Sequence, residues 1–308
     1  MKRIVVIGST NTDMVIKAVR IPAPGETILG GRFMMNPGGK GANQAVAAAR
    51  LGGNVTFIAK VGNDLFAREA KALLKNEGIC TDYILTDTQA PSGVALIMVG
   101  ENGENCISVA SGANGTLTPE EVEDAQEVIE HADLVLLQLE TPLDAVCRAA
   151  EIAVGKSVPV ILNPAPAQAI PEDLYECLEV ITPNQTETEL LTGIKVSDLK
   201  SAETAAKELC SKGALQVVIT MGSMGAYAFD GTQGIMVEAV RVQAVDTTAA
   251  GDVFNGALAV ALTEDLELAD AVAFAARAAA VSVTRMGAQA SAPYRAELEN
   301  HRTNAPTH

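Results

Sequence analysis

Short, continuously apolar runs alternate with longer Ala-rich stretches of helical period, and that alternation restricts the fold more than any other feature of the chain. The apolar runs are "RIVVIG" (3–8), "NVTFIAKVG" (54–62), "DLVLLQL" (133–139), "VPVILNPAP" (158–166), "EVITPN" (179–184) and "QVVITMG" (216–222). Between them stand "KGANQAVAAARLG", "LFAREAKALLKNEG", "TPEEVEDAQEVIEHA" and "SAETAAKELCSKG". A strand apolar on both faces has to be covered on both, which is the mark of a parallel sheet between helices. The expected fold is α/β with a mostly parallel sheet, and ligands belong at the C-terminal ends of its strands.

Two segments break the rhythm. Residues 10–37 contain "RIPAPGETILGGRFMMNP", and residues 92–111, "SGVALIMVGENGENCISVAS", read as a hairpin turning at Glu101–Glu104. Both point to a small β-sheet standing off the main body, either a lid that excludes water from a reacting group or a structural edge sheet. With no long linker or repeat, residues 1–308 are expected to form one domain.

Bulk properties exclude several classes of function. A formal charge of −16 on 308 residues argues against a nucleic-acid groove or an anionic membrane surface as partner, since both need a basic footprint. The N-terminus is apolar only from Ile4 to Ile7, a strand rather than a signal peptide. Nor does any run approach the roughly 20 apolar residues of a membrane span. Cys80, Cys106, Cys147, Cys177 and Cys210 are scattered without a C-x-x-C, as expected of reduced thiols in a cytoplasmic protein. His131, His301 and His308 form no zinc pattern.

Within "DTTAAGDVFNGAL" (246–258), Ala249, Ala250 and Gly251 can aim successive N–H groups at one point, to which the following helix adds its positive end. That is an anion hole for a developing phosphoryl charge. Asp252 then stands where it can take a proton from an attacking hydroxyl, kept ionised by the helix N-terminus, or it simply caps that helix.

In "NPGGKGANQAVAAARLGG", Gly38, Gly39, Lys40 and Asn43 open a helix whose exposed N–H groups favour oxygen-rich or anionic groups. The stretch matches neither a P-loop nor G-x-G-x-x-G. Asn11 and Asp13 follow the first strand and suit vicinal hydroxyls, though the same residues form turns. Glu140 ends an apolar strand facing the ligand crevice, or caps the helix that follows Pro142. Asn184 and Glu187, three apart, suit a water-mediated hold on Mg²⁺ and phosphate; Thr182, Asn184 and Thr186 also serve as caps. Thr220, Met221, Gly222, Ser223, Met224 and Gly225 suit a nucleotide lying against backbone, and equally a tight hairpin.

In this order the stretches resemble the ribokinase (PfkB) family of carbohydrate kinases, over about Arg3 to Glu299. "GGKGANQAVAAARLGG" resembles the family's N-terminal signature and "DTTAAGDVFNGAL" its C-terminal one. The resemblance implies a three-layer α/β/α sandwich with a small protruding β-sheet lid, at about 10–37 and 92–111, that pairs across a homodimer. It implies transfer of the ATP γ-phosphoryl group, with Mg²⁺, to the 5-hydroxyl of D-ribose. Asp252 would be the base and Ala249, Ala250 and Gly251 the anion hole. Asn11, Asp13, Gly38, Gly39, Lys40, Asn43, Glu140 and Asp252 would hold the sugar. Asn184, Glu187, the 220–225 turn, Gly251 and Asp252 would meet ATP. A monovalent-cation site, for K⁺ by preference, would fall on Asp246, Thr248, Ser282, Arg285, Gly287 and Ser291. Ala276 stands where relatives often place Asn or His beside the adenine.

Deoxyribose, fructose or adenosine are alternative acceptors; Asn11 together with Asp13 favours a sugar rich in vicinal hydroxyls. A dinucleotide-binding oxidoreductase lacks its G-x-G-x-x-G here. A silent sugar-binding regulator would have no need of Asp252 in its full motif.

Overall fold

The computed structural model describes residues 2–302; His308 and both ends of the expected 1–308 domain lie outside the described residues. The apolar runs form the body of a nine-stranded sheet. From edge to edge its strands are Ile84–Asp87, Asn54–Gly62, Arg3–Ile7, Leu134–Leu137, Val160–Leu162, Val180–Ile181, Gln216–Thr220, Ala226–Phe229 and Gly234–Val237. Neighbours run parallel as far as Gln216–Thr220, after which two antiparallel strands close the edge.

Alternate residues of each inner strand enter opposite cores. Ile4, Val6, Leu134 and Leu136 pack with the helices Lys40–Arg50, Ala250–Thr263 and Leu268–Ser282. Val5, Ile7, Val135 and Leu137 pack with Leu143–Val154 and Leu199–Ser211 on the other side. Each such side chain contributes about 1.5–3 kcal/mol by burial, so both faces have to be apolar and the three-layer sandwich follows. The strands expected over 133–139, 158–166 and 179–184 are shorter, the latter two ending before Pro164 and Pro183, which offer no N–H to a ladder. The helical stretch 118–132 divides into Pro119–Glu123 and Gln126–Glu130, broken at Ala125.

Two features of this frame place the site. The chain builds outward from Arg3–Ile7 to one edge, then crosses back to Leu134–Leu137 on the other side of it. A crevice therefore opens at the C-terminal ends of those two strands. In addition, the helices Lys40–Arg50 and Ala250–Thr263 touch backbone to backbone. A Cβ on Gly256 would stand 2.6 Å from the Gln44 carbonyl oxygen and 2.7 Å from Ala47 Cβ. That approach brings the first turn of one helix against the first turn of the other.

The interrupting segments form a separate four-stranded sheet ordered Arg32–Gly38, Asn11–Ala18, Gly93–Gly100, Asn105–Ala110. Two antiparallel pairs are joined through a parallel central pair. The hairpin turns where expected, with Gly100 N–H bonded to the Glu104 carbonyl at 2.9 Å.

Candidate active site

Asp252 is buried in the first turn of Ala250–Thr263, and it does not cap that helix. The N-cap residue is Ala249, with no side-chain cap bond. Asp252 Oδ2 accepts from Asn43 Nδ2 at 2.9 Å and Oδ1 from Gln44 Nε2 at 3.1 Å. Against the expectation that the helix N-terminus keeps it ionised stands its burial, which raises its pKa and outweighs Lys40 and the two amide donors that favour the carboxylate. A carboxylate so poised is a better proton acceptor near neutral pH.

Ala249 has φ 58°, ψ 15°, a left-handed conformation that a residue with a Cβ adopts at a cost of about 1–2 kcal/mol. A left-handed residue followed by helical ones gathers successive N–H groups into a concave nest. The Ala250 N–H bonds back to the Thr247 carbonyl at 3.3 Å, so the hole falls on the other amides of the turn. A Cβ on Gly251 would meet open space.

Near Asp252, Gly38 abuts Asp13, Gly39 abuts Asn11, and Asn43 and Glu140 stand close by, while Lys40 lines the cleft described below. Asn11 is buried, and its Oδ1 accepts from Asn114 Nδ2 at 2.8 Å. Asn11 and Asp13 lie in the strand Asn11–Ala18 rather than in a turn. Burial, then the nearby Glu140 and Asp252 carboxylates, raise the Asp13 pKa to about 6. Glu140 leaves its own following helix uncapped: Oε2 accepts from Ser9 Oγ and, at 3.0 Å, from the Lys40 N–H that opens Lys40–Arg50. It thereby ties the ends of the two central strands together across the crevice. The Lys40 ammonium stands among these acids; burial opposes its charge, but Asp252, Glu140 and Glu187 raise its pKa overall. Gly39, at φ 89°, approaches the chain's own backbone rather than a ligand, since a Cβ there would stand 2.6 Å from Thr10 Cα.

Beside Asp252 a cleft of about 910 Å³ runs past Asn184, Glu187, Thr220, Gly222, Ser223 and Gly225. Val240, Val242, Phe254, Ala276, Ala279, Ala280 and Val283 make its apolar wall, so Ala276 offers contact area but no side-chain hydrogen bond. Two residues of the 220–225 turn depart from expectation: Met221 is buried in the core, and Met224 is half exposed and outside the cleft lining. Asn184 and Glu187 form a reciprocal capping box, Glu187 N–H to Asn184 Oδ1 at 2.9 Å and Asn184 N–H to Glu187 Oε2 at 2.8 Å. Burial raises the Glu187 pKa, against the Asn184 N–H and Lys40. A smaller hollow of about 580 Å³ lies at the strands' opposite ends, near Asp133 and Gln216, without such converging groups.

Among the described residues no group of three or more His, Cys, Asp or Glu side chains fits a metal ion. Glu187 lines the cleft with both carboxylate oxygens accepting from Asn184, Oε2 from its N–H at 2.8 Å and Oε1 from its Nδ2 at 2.9 Å. The expected monovalent-cation residues are drawn together by backbone. Asp246 Oδ1 accepts from the Thr248 N–H at 2.9 Å, and Oδ2 from the Gly287 N–H at 2.8 Å. Burial opposes the Asp246 charge, but these bonds and the Thr248 hydroxyl hold its pKa below the usual range. The Ser282 carbonyl accepts from the Arg285 N–H at 3.0 Å, and the Arg285 guanidinium pairs with Glu297. The Ser282 and Ser291 hydroxyls donate to the Ala279 and Ala288 carbonyls, both at 2.8 Å. What these turns offer is one carboxylate and main-chain oxygens, a hard donor set that fits K⁺.

Sequence reasoning passed over Ser9, Gln44, Asn114, Gln138, Asn163 and Asn255. Gln44 bonds Asn163 Oδ1 at 3.0 Å as well as Asp252, Asn163 reaches the Thr182 carbonyl, and Thr182 Oγ1 donates to Asn255 at 2.6 Å. For Gln44, Gln138, Asn163 and Asn255 the signal was a polar side chain inside an otherwise apolar stretch; Ser9 and Asn114 lie in polar turns and gave none.

A pocket lined by acids and amides and an elongated cleft with an apolar wall meet at one buried carboxylate, which is the layout of a phosphotransferase acting on a small polar alcohol. The chain belongs to the pfkB family of carbohydrate kinases, which it matches over residues 1–295. It is 45% identical over 296 residues to the ribokinase of Haemophilus influenzae, covering 96% of this chain and 97% of that one. It is 40% identical over 291 residues to the deoxyribokinase of Salmonella typhi, covering 94% of this chain and 95% of that one. Its fold is similar to that of Arabidopsis thaliana ribokinase complexed with ribose and ATP, with a TM-score of 0.93, 33% identity, and coverage of 97% of this chain and 98% of that one.

Proposed function

We propose that this chain transfers the γ-phosphoryl group of ATP to the 5-hydroxyl of D-ribose, giving ribose 5-phosphate and ADP. The observation that carries the reading is Asp252, buried where the polar pocket and the cleft meet, with amide donors behind it and the open turn of Gly251 beside it. Asn11, Asp13, the Gly38–Gly39 backbone, Lys40, Asn43 and Glu140 hold the sugar. Asn43 Oδ1 is buried without a partner and so awaits a hydroxyl donor.

The 5-hydroxyl gives its proton to Asp252 as its oxygen bonds to the γ-phosphorus. The bond from that phosphorus to the β,γ-bridging oxygen breaks, and the electron pair leaves with ADP. The 249–251 turn stabilises charge on the phosphoryl oxygens. The triphosphate lies along Asn184, Thr220, Gly222, Ser223 and Gly225. Glu187 would hold Mg²⁺ near the phosphates, where the ion would supply charge neutralisation. K⁺ at Asp246, Thr248, Ser282, Arg285, Gly287 and Ser291 would brace the turn that leads into Ala249.

We treat the chain as one α/β domain whose small sheet, from about 10–37 and 92–111, is a lid over the sugar and pairs with a second copy. Free cysteines at 80, 106, 147, 177 and 210 suit a reducing cytoplasm. A coupled ADP-release assay with Mg²⁺ and K⁺, comparing D-ribose, 2-deoxy-D-ribose, D-fructose and adenosine, tests the reading. Ribose-dependent release exceeding that with the other three is expected. Preference for another acceptor would reassign the pocket around Asn11 and Asp13, and silence with all four would reject catalysis.

A further inference from the structure

We infer that Gln44, itself held by Gln138, is a positioning residue that fixes the orientation of the Asp252 carboxylate; this rests on Asp252 being the base. Gln44 is fully buried in the helix Lys40–Arg50, and both its amide hydrogens and its oxygen are engaged. The two hydrogens of Nε2 go to Asp252 Oδ1 at 3.1 Å and Asn163 Oδ1 at 3.0 Å, while Oε1 accepts from Gln138 Nε2 at 2.6 Å.

The amide orientation follows from the neighbours. An ionised Asp252 only accepts, so the nitrogen of Gln44 must face it. Asn163 Nδ2 is committed to the Thr182 carbonyl at 3.2 Å, so its oxygen faces Gln44. Gln138 then has to donate to Gln44, which leaves its own Oε1 buried with no partner. That orphan lies under Gly8, where a Cβ would stand 2.0 Å from it. An unpartnered buried acceptor between Leu137 and Leu139 is unfavourable for stability, and an apolar side chain would fill the place at lower cost. The arrangement makes sense as support for the site.

The two amides on Asp252 divide the work. Asn43 bonds Oδ2 and keeps a free Oδ1, which the proposed function assigns to a sugar hydroxyl, so changing it would disturb binding and chemistry together. Gln44 bonds Oδ1 from behind and touches no substrate. The other groups bearing on Asp252 are Lys40, Asn43 and Glu140, with Asp13 and Glu187 flanking; none holds the carboxylate from the buried side.

The test measures ribose kinetics between about pH 5.5 and 9 for the wild type, Gln44→Met and Gln138→Met. A carbon-13 NMR titration of the Asp252 carboxyl, assigned with Asp252→Asn, runs beside it without nucleotide. For Gln44→Met, kcat should fall about 10- to 100-fold with KM for ribose within about twofold. The acid limb and the NMR midpoint should both move to higher pH, because a donor to the ionised form is lost. Gln138→Met should shift both the same way by less, keeping the protein foldable even where Gln44→Met is not. An unchanged kcat, or a loss of kcat with the NMR midpoint unmoved, overturns the proposal. Wild-type protein that fails to phosphorylate ribose would sink the functional reading instead, and the NMR midpoints would still decide the role of Gln44.

Discussion

Asn43 donates to Asp252 Oδ2 at 2.9 Å and keeps its own Oδ1 buried and unpartnered, so the amide that holds the base also carries a free acceptor. The pair explains why Gly256 is needed a turn further along: only close contact between the two helices lets a side chain as short as Asn bridge them.

Replacing Asp252 with Asn should therefore remove the proton acceptor without removing the pocket. The variant is expected to fold and bind ribose, with kcat lower by about 10²–10⁴-fold. Asn43 and Gln44 both donate into this carboxylate, so the new NH₂ must face one of them, at about 1–3 kcal/mol of stability. Calorimetry with ribose and a turnover assay check both parts; a wild-type-like kcat would defeat the assignment of the base.

Asp13 makes stability and sugar binding depend on pH in opposite senses. Its pKa rises from 3.8 to about 6 in the folded protein. Between those values the native state holds a proton that the unfolded chain has released, so its contribution is full below 3.8 and is lost as pH rises through 6. The contribution is about 2–3 kcal/mol, and Asp252 and Glu187, also raised, add with the same sign. Ligand-free wild type should melt lower at about pH 7.5 than at about pH 5, and Asp13→Asn should show a smaller difference. KM for ribose should rise below pH 6, where the carboxylate acceptor is protonated. Equal slopes in the two proteins would show that Asp13 is not the group responsible.

Asn114 decides how Asn11 meets the sugar. Its Oδ1 accepts from the Thr10 N–H at 3.0 Å, and its Nδ2 donates to the Thr10 carbonyl at 3.0 Å and Asn11 Oδ1 at 2.8 Å. With its oxygen so engaged, Asn11 presents its NH₂ to the pocket, a donor beside the acceptor Asp13. Asn114→Ala should raise KM for ribose about 10-fold, with a smaller effect on kcat. An unchanged KM would mean that Asn11 keeps its orientation unaided.

The sequence made the parallel sheet legible because a strand covered on both faces leaves no choice but continuous apolar residues, as in Ile4–Ile7. It marked Asp252 and its turn because small residues before an acid are rare in a helix start. It did not show Gln44, Gln138 or Asn163, since each is a single polar residue whose partner lies far along the chain: 94 positions separate Gln138 from Gln44. The glycines at 38, 39 and 41 were legible as close approaches, but not that Gly38 approaches Asp13 and that Gly39 and Gly41 approach the chain's own Gly8–Asn11 loop. Asn184 was open to both roles, and the structure shows it capping its helix while lining the cleft.

The small sheet leads to the last prediction. Directly paired residues share a side, so Ile16, Phe33, Met35 and Leu96 line one face. Asp13, Val15, Ile97, Ile107 and Val109 line the other. Phe33 is 58% exposed and Leu96 56%, large apolar side chains that a water-facing sheet would not gather in register. In the proposed reading the Asp13 face covers the sugar, and the Phe33–Leu96 face is then the one offered to a second copy. Light scattering should find a dimer in the wild type and a monomer in Phe33→Glu/Leu96→Glu. Ile107→Lys, on the opposite face, should raise KM for ribose while the dimer persists, because it alters the cover of the pocket rather than the contact between copies. If the double variant stays dimeric, the outer face is not the interface; if Ile107→Lys alone dissociates the protein, the two faces have exchanged their roles.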